Sequence, residues 1–113
     1  MARKPIDLEH LARYTGGEKD LNGEILRLFD SQMASMVAEL NGLLASRDGK
    51  RWREVAHTIK GAARGVGAFG MGEAAAEAEP IHPVDRPDAE AAIKKLETEA
   101  ATVRTFIQQY LAA

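Results

Sequence analysis

Within a single helical turn the chain places an imidazole, an ammonium and a missing side chain: His57, Lys60 and Gly61. On a helix turning about 100° per residue these share one face with Arg53, Glu54 and Arg64, opposite an apolar stripe of Trp52, Val55, Ala56, Ile59, Ala62, Ala63 and Val66. A neutral imidazole is a nucleophile near neutral pH. A phosphoryl group accepted on its ring would bring negative charge for Lys60, and at longer reach Arg64, to stabilise. Gly61 costs about 1 kcal/mol relative to Ala inside a helix. On a face turned to water that cost points to something bulky that must come close. A solvated helical surface is the plain alternative for all of these residues.

Two Glu-x-x-His strings, Glu54 to His57 and Glu79 to His82, raise a carboxylate-bridged metal centre, which a helical bundle builds from inward-facing ligands. Pro80 lies inside the second string, and the first faces away from the apolar stripe, so no metal site is expected. His10 and His82 read as solvated histidines. Neither a Ser-His-Asp hydrolase triad nor a ligand pocket is expected in so small a chain.

These residues need a frame, and the punctuation by Gly, Pro and capping residues supplies one. Asp7 caps a short helix with Leu8, Leu11 and Tyr14 that Thr15-Gly16-Gly17 stops. Leu21, Ile25, Leu28, Phe29, Met33, Met36, Val37, Leu40, Leu43 and Leu44 recur at helical steps until Asp48-Gly49. Trp52 and Phe29 read as core. The His57 helix is expected to weaken at Gly65, Gly67 and Gly70, and a shorter helix from Met71 stops at Pro80. A proline-bearing loop follows to Pro87. Asp88 is the expected cap of the last helix, whose stripe is Ala89, Ile93, Leu96, Ala100, Val103, Ile107 and Tyr110. The expected helices are about 7–14, 19–46, 50–66, 71–79 and 88–111, folded as a single all-α domain over 1–113: an antiparallel four-helix bundle with a short N-terminal capping helix.

Composition narrows the function classes. Of 113 residues 45% are hydrophobic, but 20 are Ala and only 6 aromatic, which favours helix over sheet. The net charge is −2 with acids and bases interspersed, so no track for a nucleic-acid backbone is present. The absence of Cys removes disulfides, thiolate metal sites and a Cys nucleophile. No apolar run reaches the ~20 residues that span a bilayer, and Met1-Ala2-Arg3-Lys4-Pro5 leads into a charged segment unlike a signal peptide. The expected setting is the cytoplasm, with neither membrane nor nucleic acid as partner.

The run from Ala56 to Ala68, with its His57-x-x-Lys60-Gly61 core, small Ala62 and Ala63, and the Val66-Gly67 pair, resembles the histidine phosphotransfer (HPt) domains of two-component phosphorelays. Ile6-Asp7-Leu8 leading to Thr15-Gly16-Gly17 resembles the family's opening. The resemblance implies a monomeric phosphocarrier that is not an enzyme with ATP-binding or kinase activity. His57 would accept a phosphoryl group from a receiver aspartyl-phosphate and pass it to another receiver, Lys60 would hold equatorial oxygens, and Gly61 would leave room for the partner. Its partners would be receiver domains of response regulators and of a hybrid histidine kinase. It would carry no cofactor of its own, any Mg²⁺ residing on the receiver. Some members of the family place a Glu where Glu79 stands, and this carboxylate would orient the His57 ring; a solvated Glu before Pro80 is the plain reading of the same residue. Arg64 departs from the small residue often found there and would contact phosphate or receiver. Gln32 and Ser35 are the expected docking contacts on the adjacent helix. The rival reading is a helical adaptor that docks a signalling partner without phosphorylation.

Overall fold

A computed structural model describes residues 4–113, so the first three residues of the N-terminal segment lie outside it. Five helices follow in order: α1 Leu8–Thr15, α2 Lys19–Ser46, α3 Gly49–Val66, α4 Phe69–Ala78 and α5 Arg86–Ala112. α2 packs on α3, α3 on α4, α4 on α5 and α5 on α2, which closes an antiparallel four-helix ring, while α1 lies across the end formed by α2 and α3. The all-α bundle with a short leading helix is the expected architecture.

Each helix turns its apolar stripe to one core. α3 buries Trp52, Val55, Ala56, Ile59, Ala63 and Val66, with Ala62 partly covered, and this fixes the opposite face, where His57 stands, toward water. α5 buries Ala89, Ile93, Leu96, Val103 and Ile107.

α2 departs from expectation. Its inward series is Asn22, Leu26, Phe29, Met33, Val37, Leu40 and Leu44, whereas Leu28 is 60% exposed and Leu21 36%. Two adjacent i, i+3, i+4 series both fit the α2 sequence, and packing selects the one through Leu26. Inside this series Asn22 is buried yet satisfied: Thr15 Oγ1 donates to its Oδ1 at 2.5 Å and its Nδ2 donates to Tyr110 Oη at 3.2 Å, joining α1, α2 and α5.

Helix ends were also displaced in informative ways. Arg47, not Asp48-Gly49, turns the chain in the left-handed region (φ 59°), and Asp48 instead caps α3 by accepting from Arg51 N at 3.0 Å. α4 starts at Phe69, two residues before Met71, because Gly67 (φ 89°) completes the reversal alone. A Cβ at Gly67 would lie 2.6 Å from Asp7 O, where the N-terminal segment crosses and Asp7 N donates to Gly67 O at 2.9 Å. The last helix starts at Arg86, with Asp85 in the N-cap position but making no side-chain cap hydrogen bond, and with Pro87 and Asp88 inside its first turn, where proline's missing N–H leaves no bond unmade. Asp7 caps α1 as expected, its side chain accepting from His10 N.

Among the described residues no helix is long and apolar enough to cross a membrane. Contrary to the expectation that the bundle lacks a pocket, a groove of about 500 Å³ lies between α2 and α5, floored by Phe29, Met33 and Met71. None of its lining residues belongs to the His57 face.

Candidate phosphoacceptor site

His57 sits at the middle of α3 with its side chain 68% exposed. Its Nδ1 lies 3.3 Å from Glu79 Oε1 and 3.4 Å from Oε2, at the residue that flanks the C-terminus of α4. Lys60, one turn further along α3, places Nζ 2.7 Å from the same Glu79 Oε1. The three groups therefore form one cluster bridging α3 and α4. Glu79 and Lys60 are three-quarters covered while the imidazole projects outward.

The electrostatics follow from that geometry. The Lys60 ammonium, foremost, and the imidazole of His57 hold the Glu79 carboxyl below its ordinary value against the opposing effect of burial. Glu79 is then an acceptor only, so a hydrogen bond to His57 requires the proton on Nδ1. That tautomer leaves the Nε2 lone pair as the free nucleophile on the outward ring edge.

Gly61 is exposed, and a Cβ built on it meets nothing within 4 Å. Nothing among the described residues thus requires glycine there, and the same holds for Gly65, the next residue on that strip. Arg64 lays its aliphatic stem over α4, where Gly72 leaves space: a Cβ at Gly72 would stand 3.1 Å from Arg64 Cγ. Arg64 remains exposed beyond that contact. Gln32 and Ser35 are exposed on α2. Arg51 Nη2 donates to Glu39 Oε1 at 2.8 Å, which ties α3 to α2; equal rise along antiparallel helices from that pair brings Gln32 level with Thr58 and Leu28 level with Ala62.

The other histidines stand elsewhere. His10 makes edge contacts with Tyr14 and Phe69, at centroid distances of 5.9 and 5.1 Å. The His82 ring fills the space where a Cβ at Gly49 would be, and its Nδ1 accepts from Val84 N at 3.1 Å. Glu54 turns toward Arg51 at 3.5 Å, and among the described residues no group of three or more His, Asp or Glu is gathered as a metal cluster.

Two features escaped sequence reasoning. Leu28 and Leu21 present apolar surface on α2, Leu28 level with the α3 strip; the signal was present in the crowded run Leu26-Arg27-Leu28-Phe29, too apolar for one inward stripe. The ion pair between Lys60 and Glu79 joins residues 19 positions apart, which no local spacing rule reaches, whereas the approach of Glu79 to His57 was an expectation of the family resemblance.

Comparison with known proteins bears on the family and the fold. The family model described as Hpt domain matches residues 24–113. The fold is similar to the crystal structure of histidine-containing phosphotransfer protein B (HptB) from Pseudomonas aeruginosa PAO1, with a TM-score of 0.78 and 23% identity over 96% of this chain and 95% of that one. No match was found among curated proteins.

Proposed function

The chain belongs to the Hpt domain family, whose members serve histidine phosphotransfer in phosphorelays, and on that premise we propose that His57 is its phosphoacceptor. The observation that carries the reading is the exposed imidazole whose Nδ1 faces the Glu79 carboxylate, with no hydrogen-bond partner on its Nε2 among the described residues. In this mechanism the Nε2 lone pair attacks the phosphorus of a receiver's aspartyl-phosphate in line. The P–N bond forms as the P–O bond to the carboxylate breaks, and the carboxylate leaves with that electron pair. The ring, still protonated at Nδ1, becomes cationic, and Glu79 stabilises it. Lys60, with its ammonium a turn away, turns toward the equatorial oxygens of the incoming group. The second transfer is the reverse, to the aspartate of another receiver.

The receiver docks on the strip formed by Gly61 and Gly65, extended on α2 by Leu28 and Gln32. An apolar patch with a polar rim suits a transient partner. Arg64 lies on the rim and adds a cation near the phosphate. In this reading the protein neither binds nor hydrolyses ATP, works as a monomer in the cytoplasm, and relies on the Mg²⁺ that the receiver carries.

The direct test is incubation with a phosphorylated receiver, or with a hybrid histidine kinase and labelled ATP. Acid-labile, base-stable label on the wild type and none on His57→Gln is the expected result. Equal label on both would move the phosphoacceptor to another residue, and no label on either, with helicity intact, would favour the adaptor.

A further inference from the structure

Trp52 is fully buried, and its Nε1 donates to Ala78 O at 2.9 Å. The same carbonyl accepts from Ile81 N at 3.1 Å, so both bonds converge on the turn where α4 ends. The next residue is Glu79. α4 has only 10 residues, and Pro80 has no N–H with which to extend it. On the outside, the Glu79 carboxylate is held by partly exposed contacts, an ion pair to Lys60 and a long approach to His57. Contacts of that kind fix a flexible carboxylate weakly. The bond from Trp52 lies in the dry interior, where geometry is strictly held. Trp52 and His57 stand five residues apart on one helix, so tether and nucleophile belong to one rigid element.

We propose that the indole N–H of Trp52 positions the phosphoacceptor: by gripping Ala78 O it fixes where Glu79 meets Nδ1, and so which ring nitrogen is free. This rests on the reading of Glu79 as the group that orients His57. Buried tryptophans generally satisfy their N–H for stability alone, so the test needs a readout that packing does not move.

The chain has one Trp, so biosynthetic replacement of tryptophan by β-(3-benzothienyl)alanine puts sulfur in place of the N–H at this position only. Trp52→Phe serves as a second variant. The readouts are the ¹⁵N shifts of the His57 ring, which report its tautomer, and the pH profile of phosphoryl acceptance, each in wild-type and Glu79→Gln backgrounds. With helicity intact, acceptance should fall about three- to tenfold, the tautomer should shift toward Nε2–H, and the replacement should add no further loss once Glu79 is Gln. An unchanged tautomer and rate, or the same loss in both backgrounds, overturns the proposal and leaves the indole purely structural. If Glu79→Gln alone leaves tautomer and rate unchanged, the Glu79 reading itself fails, and this proposal with it. Should both Trp52 variants unfold, a temperature series on the unaltered protein below its melting range decides: the Trp52 indole N–H shift and the His57 ring ¹⁵N shifts should change together, and a tautomer population that changes while the indole bond stays unchanged overturns the proposal.

Discussion

At the scale of single residues the site divides labour among three side chains that one carboxylate brings together. His57 projects outward and carries little packing, so His57→Gln should leave the melting free energy within about 0.5 kcal/mol of wild type while abolishing acceptance. A collapse of helicity would instead make His57 a structural residue. Lys60 spends its charge on Glu79 in the unmodified protein, and loss of a charge-assisted contact to phosphate predicts about tenfold slower acceptance in Lys60→Ala; a full-rate variant removes it from the mechanism. Glu79 has a folded-state pKa below its ordinary 4.5, so its charge contributes stability above about pH 4.5 that is lost as pH falls through the lowered value. The melting difference between wild type and Glu79→Gln should therefore shrink to nothing as pH is lowered well below that range. A difference that persists in acid would assign Glu79 a packing role.

At the scale of elements, the open strip on α3 is the feature that conflicts with stability. Gly61→Ala adds a methyl that touches none of the described residues, so it should stabilise the helix by about 0.5–1 kcal/mol in thermal melts and slow transfer from a receiver. A variant more stable and equally fast would free Gly61 of any role in docking. The opposite expectation holds at Gly67, where positive φ and the nearby Asp7 carbonyl forbid a side chain. The α3 stripe and the opposite His57 face were legible because a single i, i+3, i+4 series exists there, and Asp7 and the glycine pairs marked α1 plainly. α2 was not, since the series through Leu28 and through Leu26 fit equally until packing chose between them. The start of α5 was misjudged for a related reason: Asp85 and Asp88 both suit a cap, and Pro87 tolerates either. Long-range partnerships such as Asn22 with Tyr110, or Trp52 with Ala78 O, leave no mark in local spacing.

For the whole molecule, the closed ring of helices is a support about 43 × 28 × 22 Å in extent that holds the exposed imidazole of His57 beside Glu79 and Lys60. Docking and chemistry can then be separated by choice of donor. Leu28→Asp changes an exposed side chain level with the strip, so it should weaken acceptance from a receiver while leaving acceptance from a small phosphoramidate donor unchanged. Equal loss with both donors would mean that the variant damages the fold. The carrier claim itself is tested most directly by a load-and-chase measurement. The protein is labelled by a phosphorylated receiver, purified from it, and mixed without ATP with a second, unphosphorylated receiver. Label leaving His57 and appearing on the second receiver's aspartate is the outcome required of a phosphocarrier. Label that stays on the protein, or is released only as inorganic phosphate, contradicts it.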